Sequence, residues 1–339
     1  MRVGINGMFW GQEATGSGQY LHRLLAALTA LAPEHAYRLY LPISRQERGA
    51  APALSLALAT PWDRRSPDLA KLWFEQIALP RACRREGLDL LHVPYFAPVL
   101  RPGRLRVVVT IHDLIPLILP AYRGSWQARA YTRLVCAAAR RARLVLTDSQ
   151  AAARDIERLL GIPEARLRVI YLAASDLYRP PTAEAVAQLR QRLPLPERYL
   201  LYLGGFDRRK NVPELLQAYA LARGQLEDLP LVIAGRLPAR DTLFTPDPLR
   251  IARELGLGEA VRCVGWVDEE DKPALYGGAI AFVFPSRYEG FGLPVLEAIS
   301  CGVPAIVAGG SSLEEVAGEA GMVVPPGDVP ALADALVRL

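Results

Sequence analysis

Short runs of β-branched and aliphatic residues alternate with segments of helical periodicity along most of this chain, a pattern that predicts βα units and parallel sheets. In the first half, the runs at 2–6, 38–41, 90–93, 107–111 and 144–147 read as strands. An amphipathic helix is expected from Ser17 or Gly18 to residue 31, and Ser149 is placed to cap another over 150–160. Residues 172–182, with Asp176, Pro180 and Pro181, break the pattern and read as a linker. The alternation then restarts, with strands expected at 199–203, 231–234, 261–264, 279–284, 305–307 and 322–324. Two Rossmann-like, doubly wound α/β domains follow, 1–175 and 176–339, with a central cleft at the carboxyl ends of both strand sets, where such sheets bind ligands. Residues 329–339 stop inside a helical pattern, which points to a chain cut short.

The size, 339 residues with 51% hydrophobic content, is enough for two cores. Cys83, Cys136, Cys263 and Cys301 are far apart and form no CxxC pair, so reduced cysteines of a cytoplasmic protein are expected, without a zinc site. The start, MRVGINGMF, lacks the apolar run of a signal peptide, and no stretch approaches the roughly 20 apolar residues of a membrane span. Charge is uneven. Before Pro180 there are 25 basic and 14 acidic residues, after it 15 and 21, balances of +11 and −6. The basic half is expected either to face an anionic partner or to carry an ordinary solvated surface.

One stretch concentrates candidate chemistry: PSRYEGFGLPVLEAISCGVPAI, residues 285–306, with Glu289 and Glu297 on either side of a glycine-rich turn. It follows an expected strand, and Pro294 is placed as the first residue of a helix reaching about Ser300, with Glu297 in its first turn. Gly290 and Gly292 let backbone approach a ligand, and amides at a helix start favour a phosphate. Carboxylates accept hydrogen bonds from the paired hydroxyls of a ribose or a hexose. Phosphate flanked by two diols describes a nucleotide sugar. The plainer alternative is that Glu297 complements a helix dipole and Glu289 is solvated.

Other segments bear on the same site. In YLGGFDRRKNVPELLQAY, residues 202–219, Arg208, Arg209 and Lys210 follow a strand and two glycines, placed to neutralise a diphosphate leaving group. VVVTIHDLIP, residues 107–116, ends a strand with His112 and Asp113. GQEATGSGQYLHRLL, residues 11–25, offers a Gly-rich loop before a helix, although Leu21 three residues after Gly18 breaks the dinucleotide fingerprint. The acidic run 268–271 reads as a helix start and not as a metal site, and Ser311, Ser312, Glu314 and Glu315 have capping-box spacing.

Taken together these residues resemble the retaining glycosyltransferases of family GT4, with the GT-B fold, over nearly the whole chain and most strongly over 199–328. The most specific element is the glutamate pair of EGFGLPVLE, followed by CGVPAIV and SSLEEVAGEAGMVVPPGD. The resemblance implies that Glu289 holds donor-sugar hydroxyls, Glu297 the ribose, and the amides around Gly290, Phe291, Gly292 and Leu293 the diphosphate. Arg209 and Lys210 match the family's basic pair, Gly205 stands where many members carry arginine, His112 matches the histidine near the sugar, and Gly16 and Gly18 match the glycine loop. Gly265 and Val267 complete the implied donor set. The implied reaction needs no metal, cofactor or enzymic nucleophile: an acceptor hydroxyl enters on the face the diphosphate leaves.

The same resemblance makes the first domain the acceptor lobe, and the pattern looks most like bacterial mannosyltransferases of O-antigen or capsule assembly that use GDP-mannose, with UDP- and dTDP-sugars as the alternatives. Arg81, Arg84, Arg85, Arg101, Arg104, Arg106, Arg140, Arg141 and Arg143, with the apolar IPLILPAYRGSW at 115–126, are expected to touch anionic lipid on the inner leaflet, with a lipid-linked glycan as acceptor. A sugar-nucleotide epimerase of similar architecture and a non-catalytic nucleotide-binding protein are the other readings. Nucleic acid is not an expected partner, because the basic residues are not interleaved with aromatic platforms.

Overall fold

The computed structural model describes residues 1–12, 15–46 and 52–339. It divides into two units, Met1–Asp148 with Ala153–Ile170, and Ser149–Ala152 with Tyr171–Leu339. The change of unit after Ile170 precedes the boundary expected at residue 175.

The first unit is built on seven strands: β1 (Arg2–Asn6), β2 (Ala36–Pro42), β3 (Ser55–Leu58), β4 (Leu90–Val93), β5 (Arg106–Thr110), β6 (Leu144–Thr147) and β7 (Leu167–Val169). All pair in parallel, in the order β3-β2-β1-β4-β5-β6-β7. The five expected strands are present, and two edge strands were not foreseen. Both are short and pair on one side only, β3 with β2 and β7 with β6, so their extended form comes from the neighbour's hydrogen bonds and not from a strong local preference. The order reverses beside β1, putting the chain after β1 and after β4 at a switch point.

The second unit has β8 (Leu200–Leu203), β9 (Leu231–Ala234), β10 (Val261–Gly265), β11 (Ala281–Phe284), β12 (Ala305–Ala308) and β13 (Gly321–Val324), parallel throughout in the order β10-β9-β8-β11-β12-β13. Every strand expected here is found within two residues of its bounds. Strands covered on both faces read as continuous apolar runs, which is why they were legible: LVIA and AFVF are wholly buried. The switch point lies between β8 and β11.

The expected linker is partly core. Tyr178 is buried with its ring 6.2 Å from that of Tyr276, and Pro181 packs so closely on Gly277 that a Cβ there would lie 2.2 Å from its ring. The first unit also holds a feature absent from the sequence reading. Helices Pro67–Trp73 and Leu79–Arg85 are joined through a π-helical turn, Phe74–Ala78, that carries the fully buried Glu75.

Candidate functional site

In the second unit, β8 runs into Gly204 and Gly205. A Cβ at Gly235, after β9, would lie 2.1 Å from the Gly204 carbonyl, so the two strand ends touch through backbone. The chain then makes a tight turn, Arg208–Lys210, and Asn211 takes a left-handed conformation ahead of the helix Val212–Ala222. After β11, the loop from Pro285 to Gly292 comes back to this turn: Arg287 N donates to Arg209 O at 2.8 Å, and Arg287 Nε to Asn211 Oδ1 at 2.9 Å.

These contacts gather charge onto one atom. Glu289 Oε1 receives Lys210 Nζ at 2.6 Å, Arg209 Nη1 at 2.5 Å and Ser286 Oγ at 2.6 Å. Arg209 Nη1 also donates to Tyr288 O at 3.0 Å, and Lys210 Nζ lies 4.7 Å above the Phe284 ring. Only 12–13% of each of the three charged side chains is exposed. Burial pushes the Glu289 carboxyl up, but Lys210 and Arg209 outweigh it and hold the group below the usual glutamate value, so it is ionised. The alternative of a solvated Glu289 is thereby overturned. Two cations face one carboxylate at the switch point, which leaves the cluster able to bind a further anion.

The helix after the loop spans Leu293–Ser300, so Leu293 is its first residue and Pro294 its second, one position later than expected. Glu297 is its fifth residue and no acidic group stands in the first turn, which removes the helix-dipole role considered for it. Its partners differ from those of Glu289: Tyr276 Oη donates to it at 3.0 Å, and burial raises its pKa despite the charge of nearby Lys272. Gly292 has φ +109°, and a Cβ there would meet Leu313 Cδ2 at 2.5 Å, so position 292 requires glycine twice over. Phe291 is buried, with its ring 6.5 Å from Tyr171.

Gly265 ends β10 with φ +74° and accepts a hydrogen bond from Gly235 N at 2.8 Å, while Val267 is buried. Between them Trp266 is 56% exposed, with the Arg236 guanidinium 5.4 Å from its ring centre. The acidic run is a helix start as expected: Glu269–Asp271 form a tight turn before Lys272–Gly277, Glu269 pairing with Lys272 and Asp271 with Arg192.

In the first unit, His112 follows β5. Its Nδ1 is 2.6 Å from Asp148 Oδ2 and its Nε2 is 3.3 Å from the Pro94 carbonyl, with Tyr20 edge-on at 4.6 Å. Both ring nitrogens face acceptors, which suits an imidazolium. Burial alone would lower its pKa, but the hydrogen bond and charge of Asp148 hold it above the usual histidine value. His92, by contrast, is driven by burial to about 4 and bonds to Thr110. Asp113 Oδ1 accepts from Ile115 N at 3.0 Å, and so caps the next turn. Of the glycine-rich segment, residues 13 and 14 lie outside the described residues. Gly16 opens the helix Gly16–Leu31 with free space at its Cβ position, whereas a Cβ on Gly18 would lie 2.0 Å from Gln12 O.

Three residues escaped the sequence reading. Asp148 orients His112 from the end of β6. Ser311 does cap the helix Ser312–Ala317, but Ser312 itself has another task, its Oγ lying 2.9 Å from Glu289 O and 2.7 Å from Phe291 O to fix the loop from behind. Trp266, between Gly265 and Val267 of the implied donor set, was not singled out. A strand-end position was the one signal available for Asp148 and Trp266, and none distinguished Ser312 from an ordinary cap.

Residues 187–339 match the family described as glycosyl transferases group 1, and residues 14–174 match glycosyltransferase family 4. Over 235 residues the chain is 38% identical to O-antigen chain mannosyltransferase B of Escherichia coli, covering 68% of this chain and 60% of that protein. Over 229 residues it is 32% identical to the serotype-specific mannosyltransferase WbdA of Escherichia coli, 66% of this chain and 28% of that one. The matched part is thus three fifths or less of the length of these relatives. Sucrose-phosphate synthase from Thermosynechococcus elongatus superposes with a TM-score of 0.77 at 25% identity, covering 100% of this chain and 89% of that structure. With two Rossmann-like parallel-sheet domains of the GT-B kind, and both halves matched, the chain belongs to the GT4-type glycosyltransferases.

Proposed function

We propose that this protein transfers mannose from GDP-mannose, with retention of anomeric configuration, to a glycan or lipid-linked glycan acceptor in cell-surface polysaccharide assembly. The observation that carries the reading is the Glu289 carboxylate held by Lys210, Arg209 and Ser286 ahead of the Gly292 turn. The two Escherichia coli relatives are mannosyltransferases, which supports mannose as the sugar.

In this scheme the donor diphosphate takes Lys210 and Arg209 as counter-charges and the amides near Gly292 as donors, so that negative charge developing on the leaving group is met by preformed cations. Glu289 is then free to accept from sugar hydroxyls, and Glu297 from the ribose. The bond from the anomeric carbon to the diphosphate oxygen breaks, the acceptor oxygen bonds to that carbon on the same face, and its proton passes to the departing phosphate oxygen. His112, its pKa raised by Asp148, assists on the sugar side. No metal, cofactor or covalent enzyme intermediate takes part. The 1–175 domain takes the acceptor and the 176–339 domain the donor, in the cytoplasm and with peripheral contact to the inner leaflet. Among the described residues no helix is long and apolar enough to cross a membrane.

The test is a thermal-shift panel of GDP, UDP and dTDP, followed by turnover of the matching sugar nucleotides. GDP is expected to raise Tm most, since a ligand bound only by the folded chain must stabilise it. A larger shift with UDP or dTDP would replace the donor; a folded chain that responds to none of them and turns over no activated sugar would remove the proposal.

A further inference from the structure

A cavity of about 350 Å3 opens at the amino-terminal edge of the first unit's sheet, lined by Arg104, Arg106, Arg141, Arg143 and Arg166 around the turn at Gly103. Arg106 is the first residue of β5, while Arg143 and Arg166 directly precede β6 and β7. His112 follows the opposite end of β5, and the strand between separates them by roughly 20 Å. The cavity therefore belongs to neither end of the chemistry described above.

Two of these arginines, Arg141 and Arg166, are held by carbonyls and not by carboxylates. Arg166 Nη1 donates to Arg140 O at 2.8 Å and lies 3.4 Å from Ala142 O, and Arg141 Nη1 lies 3.4 Å from Leu100 O. A sixth guanidinium, of Arg84, stands at the rim, 3.8 Å from where a Cβ of Gly103 would be. No acidic residue lines the cavity, and none of the five lining arginines takes part in an ion pair among the described residues. Each guanidinium carries five N–H donors in a planar fork that matches phosphate oxygens, and the carbonyls occupy few of them. Five like charges held together in this way repel one another until an anion joins them.

We propose that this cavity binds a phosphate-bearing anion of at least two charges, a diphosphate in size, at a site separate from the Lys210–Glu289 cluster. The anion is either a free diphosphate or the phosphate of a lipid headgroup, and its binding does not depend on the sugar-transfer reading. Inorganic pyrophosphate titrated calorimetrically into the Lys210→Ala chain, which weakens the other cationic site, is expected to show one binding event. Adding Arg106→Glu with Arg143→Glu, both exposed positions, is expected to weaken that event at least about tenfold. Vesicles of phosphatidylglycerol in phosphatidylcholine, with phosphatidylcholine alone as blank, test the lipid source by flotation. If the Arg106 and Arg143 reversals abolish flotation while pyrophosphate never binds, the ligand is the headgroup phosphate. Arg253→Glu, an exposed reversal in the second unit, controls for net charge. The proposal is overturned if folded wild-type and reversed chains behave alike towards both probes, or if Arg253→Glu does the same damage.

Discussion

Two buried glutamates near the carboxyl ends of the two sheets show how differently the units treat a charge. Glu75, fully buried in the first unit, takes its hydrogen bonds from hydroxyls: Tyr95 Oη to Oε1 and Tyr131 Oη to Oε2, both at 2.7 Å. Tyr95 also accepts from Asn6 at the end of β1, and the nearest cation, Lys71, is 3.7 Å away and partly solvated. Burial dominates, so its pKa lies above the ordinary value. Glu289 in the second unit meets two cations at 2.5 and 2.6 Å, and its pKa lies below. The more exposed Glu289 is shifted down and the fully buried Glu75 up, in line with the number and distance of the cations each one meets. The first network fixes a shape; the second stores charge that a phosphate ligand can use.

The largest expected effect breaks the charged side of this contrast. Lys210→Ala should lower turnover with the accepted donor by about 10²- to 10³-fold, the usual cost of removing one preorganised charge at a transition state, measured below a melting temperature that also falls because a largely buried pair is broken. Glu75→Gln, which keeps an acceptor for one tyrosine, should leave turnover within a few-fold; equal damage by the two variants in a steady-state assay would erase the distinction. Next in size, Glu75→Ala strands the Tyr95 and Tyr131 hydroxyls and should cost about 2–4 kcal/mol in urea unfolding. Gly292→Ala, forced to φ +109° against Leu313, should cost about 1–3 kcal/mol, whereas Gly265→Ala, with open space at its Cβ position, should cost less; denaturation midpoints compare them.

The smallest effect is in pH dependence, and the two glutamates should have opposite signs. The raised Glu75 contributes stability that is complete below its unfolded value of 4.5 and is lost as pH rises through its folded pKa. The depressed Glu289 contributes stability present above 4.5 and lost as pH falls through its folded pKa. Glu75→Gln should therefore gain on the wild type as pH increases from the acid side, and Glu289→Gln should lose less relative to it as pH falls below 4.5. Unfolding free energies measured across that range check both, and parallel curves would show that the two sites are electrostatically alike.

The central strands were legible because a strand covered on both faces must be apolar along its length, as LVIA and AFVF are. The edge strands β3 and β7, the π-helical turn at Phe74–Ala78 and the core role of Tyr178 were not, since each depends on a neighbour and not on local pattern. Lys210, Arg209 and Glu289, expected near one another from spacing and residue type, do lie within hydrogen-bonding distance. Asp148, Ser312 and Trp266 were passed over because their partners are distant or their residue types have commoner uses.

The order of the residues alone thus determined two alternating α/β halves, the cationic turn, the glycine-rich loop and the charge imbalance between halves, all properties of short windows or of composition. Tertiary structure decided that Glu289 is ion-paired while Glu297 is held by tyrosine, and that several arginines expected to meet anionic lipid line one cavity together with Arg166. The reason is range: the proton affinity of a carboxylate, and the fate of a guanidinium, depend on groups within a few ångströms, and in a parallel sheet those groups come from segments tens of residues apart.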